Sequence, residues 1–421
     1  MRFRSFAVSD LPVGLKLGCS VYDDRRLKLL AAGVQITQPL IDGLQKRRIL
    51  SVLVSAADVG RMLAYRPQGS AKYAFPDRAG AAHENATNQT QILDLLLPDL
   101  LRLGATANGP EFREQLRRPG AVAYDRIHMA ELADGHERQI AVLDEHCRSI
   151  AKGGSEELSG IVPAATQLVD SSIVDIDLFV NLGGAPSGGN YPGRHSRHTA
   201  MVATAIGAEM GLDADQLRQL SIGCLIHDLG MLHVDPAMLK AQRFLAQDEF
   251  VEIAKHPIRT FDVLSQSLDV VPPAARMVAY QMHERFDGTG YPRGRSGTQI
   301  HPLARIAAVA DTYVALVAPR PHRGGMLPYS AAAKLIKDTS AGKFDPAVVR
   351  AFLRATSLFP IGSFVELSDH RVGRVIRSNP HAYDRPIVEV WFKGRTETTP
   401  GVMDLAEEPA VRVVKPLATL G

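Results

Sequence analysis

The sequence is poor in the features that mark several protein classes. It has three cysteines in 421 residues, Cys19, Cys147 and Cys224, odd in number and far apart. That pattern excludes a disulfide scaffold and fits the reduced thiols of a cytoplasmic protein. Cys224 lies in the apolar run SIGCLIHDLG and reads as a small core residue. No apolar run approaches the roughly 18–20 residues that a membrane helix needs. The opening MRFRSFAVSDLPVG has basic residues but no apolar stretch of the kind a signal peptide carries. Net charge is only +3, too small to argue by itself for a nucleic-acid polymer or a membrane surface. Internal repeats are lacking too. What is present is an ordinary soluble composition, 45% hydrophobic and 22% charged, in a chain long enough for two or three domains.

Along the chain, residues 1–60 read as a small α/β unit. Two short strands flank an Asp-Asp turn in KLGCSVYDDRRLKLLAAGVQIT, and a helix followed by a β-rich run occupies TQPLIDGLQKRRILSVLVS. Nothing in this unit suggests a phosphate-binding loop or a receiver-like acidic pocket. Residues 61–155 combine a Pro/Gly/Asn-rich linker over 66–90 with helical periodicity. Residues 156–355 are a succession of helices without intervening strands, which predicts an all-α domain. One of them starts at an Asp213 N-cap and ends at Gly230; single helices are also expected over DEFVEIAKHPIRTFDVLSQ and PPAARMVAYQMHERF. From 356 to 421 the pattern turns to β-branched alternation with turns at Ser-Asp, Asn-Pro and Lys-Gly, predicting a small C-terminal β unit. The fold class is therefore mainly α.

The sequence has 14 histidines, and those at 195, 227, 256 and 283 stand beside helix-end punctuation, with Asp228 next to His227 and Asp311 downstream. Helix ends can converge on one point. A mixed imidazole and carboxylate set suits Fe, Mn or Zn, and an aspartate can bridge two ions. Adjacent residues on a helix point about 100° apart, so one ion need not take both His227 and Asp228. Set against this, any single histidine is more often a hydrogen-bonded structural residue than a ligand. His198 reads as a neighbour of the set or a surface residue, and His233 is balanced between loop and site. HERFDGTGYPRG, taken alone, could be a surface turn.

The order and text of the motifs add a resemblance. GRHSRHTAMVATAIGAEMGLDADQLRQLSIGCLIHDLG, DEFVEIAKHPIRTFDVL, HERFDGTGYPRGRSGTQIHPLARIAAVADTYVAL and RPHRGGMLPYSAAA follow one another as in the HD-GYP family, a subset of the HD phosphohydrolases. The resemblance implies an all-α HD-type domain over 156–355 that holds two divalent ions, Fe or Mn, and hydrolyses cyclic di-GMP to pGpG or GMP. By resemblance His195, His227, Asp228 and Asp311 match ligands of a first ion, with Asp228 bridging. His256 and His283 match ligands of a second. His227 and Asp228 stand at the centre of catalysis, while Tyr291, Arg320 and Arg323 match groups that hold substrate phosphates. Cyclic di-GMP is the expected partner, with room for a signalling protein or a homodimer and none for a nucleic-acid polymer or membrane.

Three positions depart from the family pattern. Met282 replaces one histidine of the usual doublet, and a thioether is a poor ligand for Fe or Mn. Met231 stands where a lysine is usual, which costs about 1–3 kcal/mol of substrate binding if that contact is charge-assisted. Tyr191 replaces a glutamate found in three-ion members, so a trinuclear site is not expected. Thr260 lies close to a usual glycine. These changes leave a second reading open, a degenerate cyclic di-GMP receptor or scaffold without turnover.

Overall fold

The computed structural model describes residues 3–8, 11–55 (apart from 12, 24–26, 48 and 50), 58, 97–98, 101 and 110–418 (apart from 123, 154–157, 185–190, 244, 265–269, 321–323 and 393–400). The linker expected over 66–90, Arg323 and the Lys-Gly turn fall outside the described residues. The chain divides into two compact units, Met1–Arg78 and Ala79–Gly421. No helix among the described residues is long and apolar enough to cross a membrane.

The first unit is a four-stranded antiparallel sheet in the order β1-β4-β2-β3, with β1 Phe3–Ala7, β2 Val21–Tyr22, β3 Lys28–Leu30 and β4 Ser51–Ser55. Helix α1, Gln38–Lys46, buries Ile41 and Leu44 on one side, three residues apart as a helical stripe requires.

The second unit is built of helices: α2 Arg126–Ala151, α3 Leu158–Val174, α4 Ile176–Gly183, α5 Gly193–Glu209, α6 Ala214–Ile226, α7 Pro236–Leu239, α8 Gln247–Ile253, α9 His256–Leu264, α10 Pro273–Gln281, α11 Pro302–Val317, α12 Pro328–Ser340 and α13 Pro346–Thr356. Helix α5 is buried almost throughout, because Ala, Gly, Thr and Val let its neighbours approach on every side. Asp213 caps α6 through a reciprocal capping box with Gln216, as its position predicts. Three expected helices are shorter or split; the one over PPAARMVAYQMHERF ends at Gln281. Helix α6 ends at Ile226, and a 3-10 turn, Leu229–His233, follows. The run DEFVEIAKHPIRTFDVLSQ contains two helices, because the chain breaks between Ile253 and His256 and starts again with Pro257 in its first turn.

The C-terminal strands β5 Phe364–Leu367, β6 Arg371–Arg377, β7 Ile387–Phe392, β8 Gly401–Asp404 and β9 Val413–Leu417 form an antiparallel sheet ordered β8-β7-β6-β5-β9. It is not a detached module. Val365, Val375, Val388 and Leu405 belong to the same buried apolar cluster as Val180, Met201 and Phe352. The end of β6 is also clamped to α4. Arg377 Nη1 donates to both carboxylate oxygens of Asp175 at 2.7 and 2.6 Å, and the guanidinium lies 4.2 Å from the Tyr124 ring centroid. Ser378 donates from its backbone and its hydroxyl to Asp177.

Helices α2 and α5 share a buried polar relay. Arg197 Nε donates to His136 Nδ1 at 3.2 Å, which leaves the proton of His136 on Nε2, facing His198 Nε2 at 3.4 Å. His198 Nδ1 in turn donates to the Gly183 carbonyl at 2.8 Å. His198 is thus a core residue, 1% exposed, and not the surface or site neighbour its spacing suggested. Burial, joined by the positive charge of Arg197 and its neighbours, holds His136 down to about 3; burial likewise holds His198 down to about 4. Both values lie below the ordinary value of about 6.5, so the unfolded chain takes up these protons first. The stability the neutral pair contributes is present above pH 6.5 and is lost as pH falls from there toward 4 for His198 and toward 3 for His136. At pH 5 the loss is about 2 kcal/mol for each histidine. Urea unfolding at pH 7.5 and 5 is expected to show a His136→Gln variant losing about 2 kcal/mol less than the parent.

Candidate metal centre

The end of α6 places the centre. His227 caps that helix, and Asp228 leaves helical geometry with φ −95° and ψ 9°. The two side chains therefore do not splay as they would in mid-helix. His227 Nε2 comes within 3.2 Å of Asp228 Oδ2. The turn behind them is locked by Thr260 on α9, whose hydroxyl donates to the His227 carbonyl at 2.8 Å and accepts from Gly230 N at 3.0 Å. Only glycine fits at 230: a Cβ there would lie 2.2 Å from the His256 carbonyl oxygen and 2.7 Å from Thr260 N.

Four other elements deliver the remaining residues. His195 comes from the first turn of α5, His256 opens α9, His283 follows α10, and Asp311 sits in the middle of α11 rather than at an end. Two sets of ligand atoms lie within 4.8 Å of one another: His195, His227 and Asp228, and then Asp228, His256 and His283. Asp228 belongs to both. Its Oδ2 faces His227 and, at 3.9 Å, His195 Nε2; its Oδ1 faces His256 Nε2 at 3.4 Å. Asp311 stands between the sets, with Oδ1 2.9 Å from His195 Nε2 and Oδ2 3.6 Å from His283 Nδ1. All six predicted His and Asp residues thus converge, while His233 is exposed and stands in neither set.

The tautomers suit ligation. His227 Nδ1 is 2.7 Å from the Cys224 carbonyl and His256 Nδ1 is 2.9 Å from the Ile253 carbonyl, so each commits its Nδ1 proton to the backbone and leaves Nε2 as the nitrogen a metal would take. His227 Nε2 is fully buried and, despite the nearby carboxylate, makes no aligned hydrogen bond. Burial lowers His256 and takes His283 far down, so both imidazoles are neutral. At Asp228 burial opposes ionisation, but the surrounding histidines outweigh it and keep the carboxylate charged; Asp311 is held down in the same way. Burial also works against charge on His227, yet Asp228 and Asp311 raise it to about 9. Carboxylates that draw a proton to this place draw a divalent cation there equally. An orphaned nitrogen and ionised carboxylates among neutral imidazoles are a donor set that fits metal ions.

The loop after His283 closes one side. Glu284 accepts from the backbone N–H groups of Arg293 and Arg295 at 2.8 and 3.0 Å, and burial pushes it up to about 7 against those bonds. Gly290 passes so close to the Glu284–Arg285 backbone that a Cβ would lie 2.3 Å from Arg285 N. Tyr291 is thereby laid flat on His283, with ring centroids 5.0 Å apart and planes 16° apart, and it meets Phe250 at right angles with centroids 6.0 Å apart. On the opposite side Tyr191 donates its hydroxyl to Asp228 Oδ2 at 2.8 Å. Burial and the Asp228 charge keep the Tyr191 phenol protonated, hence a donor. Arg320 is exposed and close enough to act electrostatically on both tyrosines. Met282 is fully buried in the apolar core, and Met231 nearly so. Sequence reasoning noted Thr260 and Tyr191 only as departures and gave Glu284 no role; adjacency to His283 was the one signal for Glu284.

With this geometry in place, a family model described as an HD domain matches residues 190–348. A cyclic di-GMP phosphodiesterase of Pseudomonas aeruginosa is 32% identical over 209 residues, 49% of this chain and 49% of that protein. A cyclic di-GMP phosphodiesterase of Borreliella burgdorferi is 29% identical over 195 residues, 46% of this chain and 51% of that protein. A 3'3'-cGAMP-specific phosphodiesterase of Vibrio cholerae is 33% identical over 171 residues, 40% of this chain and 36% of that protein. The chain spans about half the length of the first two relatives.

Proposed function

We propose that the chain, whose residues 190–348 match the HD domain family model, is a metal-dependent phosphodiesterase acting on cyclic di-GMP. The observation that carries the reading is the double membership of Asp228, one carboxylate shared by two sets of imidazoles. His195, His227, Asp228 and Asp311 would hold one ion, and Asp228, His256 and His283 a second, with Fe or Mn the metals that suit the set. When bound, such a pair supplies Lewis acidity that neutralises phosphoryl oxygens and makes water a nucleophile near neutral pH.

The protein's own residues do the rest. The Cys224 and Ile253 carbonyls fix the imidazole tautomers, so the ligand lone pairs point inward without rearrangement. Tyr291, braced on His283, and Arg320 receive the substrate phosphates, Arg320 with the paired donors that suit a phosphodiester. Arg323 joins them by position in the sequence. The second set keeps three protein ligands without Met282, which favours turnover over a receptor without it.

Protein stripped with chelator and reloaded with Mn2+ or Fe2+ is expected to convert cyclic di-GMP to pGpG or GMP, read by anion-exchange chromatography; the stripped sample should yield none. No product from a metal-replete sample would sink the proposal. Turnover of 3'3'-cGAMP alone would keep the chemistry and change the substrate.

A further inference from the structure

Tyr191 lies at the start of α5, where its hydroxyl reaches Asp228 Oδ2 at 2.8 Å and its ring stands 6.2 Å from that of His195. A carboxylate that serves two sets of ligands must hold its plane, because rotation about χ2 would turn Oδ1 away from His256 and Oδ2 away from His227 together. The phenol is a hydrogen-bond donor to Oδ2 and so opposes that rotation. Tyr191 is in turn gripped from α2. Arg148 Nη2 donates to the Tyr191 carbonyl at 3.2 Å, and Arg148 Nε donates to Asp144 Oδ2 at 2.9 Å. Asp144 Oδ1 accepts from Gly193 N at 3.2 Å, on the far side of the same short segment. Helix α2 ends at Ala151, well before the HD-domain match begins at residue 190.

We propose that Tyr191 is a positioning residue for the metal-bridging carboxylate, and that Asp144 and Arg148 of α2 hold it in place. The inference rests on the reading of Asp228 as a ligand shared by two ions. Tyr191 acts through Asp228 and reaches the ions only by way of it. Helix α2 is then part of the centre's framework, although it contributes no ligand.

The test is Mn2+ affinity, by competition with a chelator and by elemental analysis, in full-length parent, Asp228→Ala, Tyr191→Phe, Arg148→Met and the double variant. Tyr191→Phe keeps the ring and loses the donor. It is expected to weaken Mn2+ binding roughly 10- to 100-fold, as loss of an outer hydrogen bond to a ligand does, while thermal unfolding of the metal-free protein stays at the parent temperature. Arg148→Met, at an exposed side chain, is expected to weaken binding in the same direction by less. In the double variant it should add nothing to Tyr191→Phe, since both act through one hydroxyl. A Tyr191→Phe protein with parental Mn2+ affinity would overturn the inference. So would an unfolded Tyr191→Phe together with an Arg148→Met that binds like the parent. If Asp228→Ala binds Mn2+ as the parent does, the reading of the site fails and takes this inference with it. If Asp228→Ala loses the metal and Tyr191→Phe does not, this inference alone is wrong.

Discussion

Asp228→Ala is expected to lose nearly all bound metal and nearly all cyclic di-GMP turnover. Among the described residues Asp228 alone is common to both sets, so under the proposed two-ion arrangement its removal would take a charged ligand from each ion at once. Asp311 stays between His195 and His283 but belongs to neither set of mutually close ligand atoms, so it does not replace Asp228. Two-ion neutralisation of a phosphodiester is worth several kcal/mol, so the rate should fall by a factor on the order of 10^3 or more. Elemental analysis and a product assay on the same sample check it. Metal content equal to the parent's would contradict the shared-carboxylate arrangement.

Gly230→Ala is expected to be the most damaging change outside the ligands. The added methyl would meet the His256 carbonyl oxygen and the Thr260 backbone nitrogen, both main-chain atoms that cannot swing aside. The clash therefore moves α9 away from the turn after Asp228, carrying His256 with it. Overpacking of this kind costs about 3 kcal/mol, which lowers the unfolding temperature by about 4 °C in a unit of this size. Loss of Mn2+ from the second set while the first is retained, seen as reduced metal stoichiometry, would distinguish displacement of His256 from general unfolding. A variant with parental stability and full metal content would refute the close approach.

Much of this was legible in the sequence, for identifiable reasons. Helix α6 and its Asp213 cap follow from local chemistry, and so does the run of β-branched residues in the C-terminal sheet. The six His and Asp residues were legible because each stands beside helix punctuation or inside a distinctive motif. What could not be read was decided by contacts distant in sequence. His198 looked like a neighbour of the ligands, yet its ring turns inward to Gly183 and His136, partners 15 and 62 residues away. The convergence of His227 on Asp228 depends on where α6 stops, which Thr260 on another helix sets. Tyr191 looked like a missing ligand; only the fold shows that it touches Asp228. The C-terminal strands were recognisable as strands, but not as part of the helical core, because alternation along a strand does not say what covers its inner face.

That shared core bears on how the protein could be divided. The change of composition near residue 356 looks like a seam where nature or a protein engineer might cut. The buried cluster and the Arg377–Asp175 clamp cross it. A fragment that stopped there would bare the apolar flank of the helices and take the Arg377 guanidinium from Asp175 and the Ser378 donors from Asp177. Residues beyond the seam therefore fold with the helices that precede it as one piece.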